Sequence, residues 1–177
     1  MSLGTKRLGK ELTKVSLYHH VTTVVGFGQV LIRFPCEQIQ KTLPPGITLV
    51  KADDLQEWLL DIQVLDQNPI YAGETYRLKF RFGKQYPIEP PEVVFTKQEN
   101  RPIPMHPHIY SNGIICLDLL GSSGWSPVQN VESVCMSIQS MLTGNTKNHR
   151  PEGDADFVST NKARPKDIEF YYHDNEV

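Results

Sequence analysis

The side chains best suited to covalent chemistry lie together in residues 106–127, which read HPHIYSNGIICLDLLGSSGWSP. This stretch contains one cysteine, Cys116, and two histidines that are separated by a single proline. A cysteine thiolate is a nucleophile, and an imidazole can donate a hydrogen bond or accept a proton. The pattern therefore predicts a reactive thiol that is assisted by a neighbouring imidazole.

The residues just before the cysteine predict how that thiol is held. Asn112-Gly113 is a strong signal for a tight turn, because both residue types tolerate positive φ at little cost. Ile114 and Ile115 lead from this turn into Cys116, and several leucines follow. We therefore expect Cys116 to lie in an apolar, extended run that holds the thiol rigidly beside a surface groove.

Three spaced motifs in this region resemble the signature of the ubiquitin-conjugating enzymes. The family pattern is His-Pro-Asn, then Ser-Asn-Gly-x-Ile-Cys-Leu-Asp-x-Leu, then Trp-Ser-Pro. This chain has His-Pro-His at 106–108, SNGIICLDLL at 111–120 and Trp-Ser-Pro at 125–127, so His108 stands where most of the family has asparagine. His-Pro-His and the YYHD at 171–174 are similar to the W-type subgroup, which is known for attaching ubiquitin to protein N-termini.

The resemblance implies a reaction and a role for each residue around the cysteine. Cys116 would accept the C-terminal carboxyl of ubiquitin from the activating enzyme as a thioester and pass it to an amine. Exchange between matched thiols is nearly balanced, so it needs no extreme activation. We expect a ring N–H of His108 to replace the family's asparagine amide at the oxyanion, and His106 and Asn112 to support the loop. No cofactor or metal is expected, since the activating enzyme uses the ATP upstream.

The nature of the acceptor amine rests on the W-type resemblance and on one physical argument. At pH 7 a lysine with a pKa of about 10.4 is neutral in roughly 0.04% of molecules, and an α-amine near 7.8 in roughly 14%. An enzyme that serves α-amines therefore needs less help in deprotonating its nucleophile. Asp118 and Asp154 are candidates for an acceptor pocket, while Gly153 occupies a position where relatives often have aspartate. Transfer to the substrate's N-terminal α-amine is the prediction, and transfer mainly to lysine is the alternative.

The same resemblance implies two docking surfaces. The surface for a RING or U-box type ligase maps by position to Ile88, Pro127 and Val128. Basic residues on the first helix of relatives dock the activating enzyme, which here gives Lys6, Arg7 and Lys10. A solvated helix face accounts for those three charges as well.

Composition excludes several other classes of function. The 177 residues are 39% hydrophobic and carry a net charge of −2, so one packed domain over 1–177 is expected and no basic field points to nucleic acid. No apolar run is long enough for a membrane span, and the first residues are too polar for a secretory signal. Three cysteines without paired spacing indicate a reducing compartment, hence a cytoplasmic and/or nuclear protein.

Hydrophobic periodicity predicts an α+β fold that surrounds the motif. The predicted elements are helices over 5–14, 131–142 and 154–163, and strands over 58–65, 74–82 and 93–96. The first helix is expected to be amphipathic, with Leu8 and Leu12 on one face and Glu11 elsewhere, among the basic residues. The resemblance implies the same arrangement: an N-terminal helix, a four-stranded antiparallel meander sheet and C-terminal helices. Residues 164–177 are expected to form a flexible tail.

Residues 15–38 do not fit this plan. They are rich in apolar and β-branched residues, contain two charged side chains and lack a helical period. Joining Lys14 directly to Ile39 would continue the apolar stripe of the first helix to Leu43. The hypothesis is an untypical insertion in or after that helix, such as a retained intron translated in frame. The alternative is a genuine lineage-specific loop or hairpin.

Three other functions compete with that of a conjugating enzyme. A cysteine hydrolase would use Cys116 with a histidine, but it usually places its thiolate at a helix N-terminus. A zinc site from both histidines and the cysteine lacks a fourth ligand. A catalytically impaired ubiquitin-binding variant of the same fold usually lacks the cysteine, which is present here, although the inserted segment could inactivate this chain.

Overall fold

The computed structural model describes residues 3–16, 43–52, 55–168 and 170. The elements are α1 (Leu3–Ser16), β1 (Ile47–Lys51), β2 (Glu57–Ile62), β3 (Tyr76–Arg81), β4 (Glu92–Phe95), α2 (Val131–Thr143) and α3 (Asp154–Thr160), with short 3-10 turns at Asp118–Leu120 and Pro165–Asp167. The predicted α+β fold is therefore confirmed. Within these ranges no helix has both the length and the apolar character to span a membrane.

The four strands form one antiparallel sheet in the order β1-β2-β3-β4. Side chains alternate between a buried and a wetter face along β2 and β3, so Trp58, Leu60, Leu78 and Phe80 all face the core. The alternation predicted over 74–82 is confirmed. The sequence analysis did not identify β1, and β2 ends at Ile62, short of the predicted 65.

Helix α2 covers the buried face of the sheet. Asn130 caps it, because its side chain accepts a hydrogen bond from Ser133 N–H at 2.8 Å while Ser133 Oγ accepts from Asn130 N–H at 3.0 Å. Cys135 is fully buried on its apolar stripe, and this burial raises the pKa of the thiol well above its ordinary value. The helix predicted over 131–142 is confirmed and extends one residue further, to Thr143.

Helix α1 buries one charged residue beside its apolar face. Leu8 is buried as expected, but Glu11 is buried as well and does not face solvent. Its carboxylate accepts from Tyr86 Oη–H at 2.7 Å, from Val131 N–H at 3.1 Å and from Arg7 Nε–H at 2.7 Å. This burial is possible because a carboxylate that satisfies the first turn of another helix does not remain unpaired.

Two predicted segments lie largely outside the described residues. Helix α1 runs to Ser16, so residues 15 and 16 are helical, while the remainder of the proposed insertion, 17–38, and Ile39 are outside the description. Residues 171–177 of the predicted tail are also outside it. Earlier in that tail, Lys166 Nζ lies 2.5 Å from Glu89 Oε2, so the chain after α3 returns to the region of β4.

Candidate active site

A tight hairpin places the cysteine. Gly113 N–H donates to Tyr110 O at 2.8 Å, and Tyr110 N–H donates to Ile114 O at 2.9 Å. Gly113 has φ +90°, and a Cβ at this position would lie 1.9 Å from Phe95 O, so only glycine fits against β4. Asn112 Oδ1 accepts from Ile114 N–H at 3.1 Å. The predicted turn is present, with positive φ at Gly113 and not at Asn112.

The main chain joins Cys116 directly to the second histidine. Cys116 N–H donates to His108 O at 2.8 Å, and Ile109 forms a β-bridge with Ile115 beside this bond. Cys116 is half-buried and His108 is exposed. The structure therefore places the predicted nucleophile directly beside the main chain of the predicted oxyanion donor.

The first histidine is a buried brace for the loop that carries the second. His106 Nδ1 accepts from His108 N–H at 2.9 Å, and His106 Nε2 lies 3.3 Å from Met141 O. Because Nδ1 accepts, the ring proton is on Nε2, where it can donate to the carbonyl. Burial, followed by the charge of His108, lowers the pKa of His106 to about 4. The ring is therefore neutral at pH 7 and fixed in one tautomer.

His108 is also neutral at pH 7. Partial desolvation of the ring, followed by the positive charge of Lys147, lowers the pKa of His108 below its ordinary value of 6.5. A neutral imidazole has one N–H donor and one acceptor nitrogen. Since Lys147 contributes to this shift, a positive charge lies on the same side of the site.

The two predicted acceptor-pocket carboxylates differ in their surroundings. Asp154 Oδ1 accepts from Ser111 N–H at 2.7 Å, which ties the start of α3 to the catalytic hairpin. Asp118 is exposed and begins the 3-10 turn that follows Cys116. The structure brings Asp154 to the hairpin turn and leaves Asp118 in contact with solvent.

Stacked rings hold α3 against the hairpin beside the cysteine. The rings of Tyr110 and Phe157 have centroids 3.8 Å apart and an interplanar angle of 24°. Burial, followed by negative charge on Cys116 and Asp154, raises the pKa of Tyr110. Tyr110 therefore lies between the cysteine and α3.

This geometry bears on the competing chemistries. Both ring nitrogens of His106 face main-chain groups, so this ring cannot act as the proton-accepting base of a cysteine hydrolase. In the described part of the chain, no three or more His, Cys, Asp or Glu side chains come together as a metal-binding group. The arrangement is suited to acyl transfer from a half-buried thiol beside an N–H donor.

Comparison with known proteins agrees with the site. The sequence model of the ubiquitin-conjugating enzyme family matches residues 32–169, which is most of the chain. The chain belongs to the ubiquitin-conjugating enzyme family. Among curated relatives, it is 40% identical over 158 residues to ubiquitin-conjugating enzyme 15 of Arabidopsis thaliana, covering 84% of this chain and 94% of that protein.

Other relatives support the finer resemblance, and one solved structure shares the fold of the family. The chain is 43% identical over 136 residues to the probable ubiquitin-conjugating enzyme E2 W of Dictyostelium discoideum, covering 76% of this chain and 87% of that one. It is 40% identical over 143 residues to ubiquitin-conjugating enzyme E2 W of Caenorhabditis elegans, covering 79% and 91%. The crystal structure of the conjugating enzyme UbcA1 from Agrocybe aegerita superposes with a TM-score of 0.76 at 38% identity, covering 94% of this chain and 100% of that one. The W-type resemblance is thereby confirmed.

The protein is thus a ubiquitin-conjugating enzyme, a transferase of a family that works with ubiquitin, an activating enzyme and a ligase. Its residues assigned to ligase docking lie on two joined loops. Ile88 is 65% exposed and Val128 is 78% exposed, and Pro127 is exposed next to Val128. Trp125 Nε1–H donates to Pro87 O at 2.9 Å and holds the two loops together. The structure therefore brings all three residues to one side of the enzyme.

The basic residues of α1 do not all lie together. Lys6 and Lys10 are exposed, but Arg7 is part-buried. Arg7 Nε donates to Glu11 Oε1 at 2.7 Å, and one of its terminal nitrogens donates to Gln129 O at 3.2 Å. Arg7 lies one helical turn from Glu11, so the buried carboxylate draws the guanidinium inward. Of the three predicted basic residues, Lys6 and Lys10 are therefore exposed, and Arg7 is partly engaged within the fold.

The sequence analysis missed the residues that hold the histidine loop from outside. The side chains of Arg150 and Tyr71 donate hydrogen bonds to main-chain carbonyls of residues 103–109. Asn145 donates to the Tyr71 hydroxyl and so acts on this loop through Tyr71. Nothing in the spacing of these side chains marks them, because they lie 34 to 47 residues from the carbonyls they reach.

Proposed function

We propose that Cys116 carries ubiquitin as a thioester and that His108 stabilises the oxyanion when an amine attacks it. The observation that carries this proposal is the hydrogen bond from Cys116 N–H to His108 O, at 2.8 Å. It fixes a half-buried thiol next to a histidine whose imidazole is exposed and neutral. A preorganised donor of this kind contributes most when it is aimed at charge that develops in the transition state.

The reaction runs in two balanced steps. In the first, the Cys116 thiolate attacks the activating enzyme's thioester, a new sulfur–carbon bond forms, and the activating enzyme's thiolate leaves. In the second, a neutral amine attacks the carbonyl carbon, the oxyanion accepts a hydrogen bond from the His108 ring, and the intermediate collapses with loss of the Cys116 thiolate. The amine proton passes to water. His106 keeps His108 in place throughout, through its bond to His108 N–H.

The preferred acceptor in this proposal is the substrate's N-terminal α-amine. A lysine must first lose a proton, and a carboxylate near the thiol would promote that loss. Asp154 is committed to Ser111 N–H, and the positive charge of Lys147 acts on His108. Because neither group supplies a base that would deprotonate a lysine, the amine that is more often neutral at pH 7 is favoured.

A discharge assay on two matched peptides tests this preference. One peptide has a free N-terminus and no lysine, and the other has an acetylated N-terminus and one lysine. With preloaded enzyme at pH 7, the first should release ubiquitin from Cys116 faster by about two orders of magnitude, following the ratio of neutral amines. Its rate should level off above a pH of about 8. Equal rates for both peptides would defeat the preference for α-amines and leave the transferase activity in place.

The proposed docking surface for a RING or U-box type ligase consists of Ile88, Pro127 and Val128. Exposed apolar side chains of this kind are anchors at protein interfaces. Replacing Ile88 by Ala should lower ligase-stimulated discharge about tenfold, a loss typical of an interface hot spot, and leave ligase-free discharge unchanged. Leu65→Ala is the matched control, since Leu65 is 60% exposed on another part of the surface. Equal losses for both variants would refute the assignment.

The proposed contact with the activating enzyme uses Lys6 and Lys10. Arg7 supports this helix through its hydrogen bonds to Glu11 and Gln129. Reversing both lysine charges to glutamate should slow thioester formation and make its rate less dependent on salt. Reversal of Lys79, which lies on β3, is the control. Unchanged charging rates in the lysine variant would mean that this helix face is merely solvated.

A further inference from the structure

The loop that carries both histidines is held from outside by one guanidinium group. Arg150 donates from one terminal nitrogen to Pro104 O at 2.5 Å and to Ile109 O at 3.0 Å, and from the other to Ile103 O at 3.0 Å. These three carbonyls bracket His106 and His108 on both sides. A planar guanidinium presents several donors in a rigid fork, so a single side chain can fix three carbonyls at once.

A second pair of side chains, Tyr71 and Asn145, holds the carbonyl of Met105, which lies between the carbonyls that Arg150 contacts. Tyr71 Oη–H donates to Met105 O at 2.7 Å, and Asn145 Nδ2–H donates to Tyr71 Oη at 2.5 Å. Asn145 is 8% exposed and Tyr71 is fully buried. The loop is therefore anchored by these side chains in addition to the β-bridge between Ile109 and Ile115, so its position depends in part on these few bonds.

The position of this loop determines the position of the reacting groups, because the main chain connects them. Ile109 O is one of the carbonyls that Arg150 fixes, and it adjoins His108. His108 O in turn accepts from Cys116 N–H at 2.8 Å. A shift of the loop would therefore move the His108 imidazole relative to the thioester carbonyl.

We propose that Arg150 is a positioning residue for the transfer step: it sets the distance between the His108 imidazole and the acyl group on Cys116. This inference rests on the proposed function of those two residues. Arg150 acts through the carbonyls of residues 103–109 that its guanidinium contacts. Its effect belongs mainly to discharge, in which a neutral amine creates the oxyanion. Charging exchanges one thiol for another and depends less on the donor.

The test compares Arg150→Lys with the wild type in two separate steps. Lysine keeps the charge but cannot span three carbonyls. Since a misplacement of about 1 Å can cost on the order of 10²-fold in rate, we expect single-turnover discharge to fall about tenfold or more, and charging by activating enzyme to stay within about twofold. Arg81→Lys is the matched control, because Arg81 is an exposed arginine paired with Glu57 away from the site.

A double variant separates positioning from general destabilisation. In a His108→Ala background, Arg150→Lys should slow discharge no further, since the group it positions is gone. Tyr71→Phe removes only the hydroxyl donor to Met105 O and should give a smaller loss in the same step. Thermal unfolding of each variant shows that it is folded at the assay temperature.

The possible results distinguish a failure of this inference from a failure of the proposed function. If Arg150→Lys slows charging and discharge in proportion, or slows discharge equally with and without His108, Arg150 is a structural residue and the inference is overturned. The same holds if discharge is unchanged while the thioester still forms, which leaves the proposed function standing. If no thioester forms on Cys116 in the wild type, the proposed function fails, and this inference fails with it.

Discussion

The buried imidazole of His106 makes a quantitative prediction about stability and pH. In the folded protein its pKa is about 4, and in the unfolded chain it returns to about 6.5. Protonation of His106 Nδ1 would abolish the hydrogen bond from His108 N–H. Protonation is therefore less favourable in the folded protein than in the unfolded chain. Between these two values the unfolded chain binds a proton that the folded chain does not, and acid therefore favours unfolding.

The size of the effect follows from the two pKa values. The contribution is fully present above a pH of about 6.5 and is lost as the pH falls toward 4. At pH 5 the loss in the free energy of unfolding from this one residue is about 2 kcal/mol. For a protein of this length that corresponds to a fall in Tm of roughly 4–8 °C.

Urea unfolding at pH 7 and at pH 5 checks this prediction in the wild type and in His106→Gln. Glutamine cannot titrate, so the variant should lose about 2 kcal/mol less than the wild type over the same pH interval. Other groups that titrate there contribute equally to both proteins and cancel in the difference. The same pH dependence in both proteins would refute the claim that His106 is buried as a neutral acceptor.

Three further predictions concern the hairpin, the thiols and a helix cap. Gly113→Ala should destabilise the fold by more than about 2 kcal/mol in urea unfolding, because its Cβ would meet Phe95 O at 1.9 Å and its φ is +90°. Iodoacetamide should modify Cys116 and leave Cys135 untouched in the folded protein, as read by peptide mass mapping, because burial raises the pKa of the Cys135 thiol. Asn130→Ala should cost about 1 kcal/mol in the free energy of unfolding, the usual value of a lost helix cap.

Each of these has a result that would count against it. For the hairpin, Gly73→Ala is the control, since Gly73 has φ +76° but open space around its Cβ, and an equal loss in both variants would leave the contact with β4 unsupported. Labelling of Cys135 as fast as Cys116 would mean that the core opens readily. An Asn130→Ala variant as stable as the wild type would mean that its capping bonds add nothing to stability.

Much of the scaffold could be predicted because its signals are local. The alternation from Tyr76 to Phe82, the Asn-Gly turn and the cap at Asn130 each depend on neighbouring residues in the sequence. Strand β1 was not predicted. Only Ile47 in it is buried, so its five residues show no alternation between a buried and an exposed face.

The polar interior could not be predicted for a different reason. Glu11 is satisfied by Tyr86 and Val131, which are 75 and 120 residues away in the chain. Arg150 is similarly remote from the carbonyls it fixes. The hydrophobic periodicity of the sequence does not predict such pairings, since they depend on which surfaces the fold brings together. Cys116 and His108 were identifiable from motifs, whereas the side chains that hold them emerged only from the coordinates.

Loading of the enzyme with ubiquitin tests the central claim most directly. The purified protein is incubated with activating enzyme, ATP and ubiquitin, and adducts are separated with and without dithiothreitol. The wild type should give one adduct that dithiothreitol removes, Cys116→Ser should give an adduct that resists it, because an oxygen ester has replaced the thioester, and Cys116→Ala should give none. A dithiothreitol-sensitive adduct that persists in Cys116→Ala would contradict the assignment of Cys116 as the residue that carries ubiquitin.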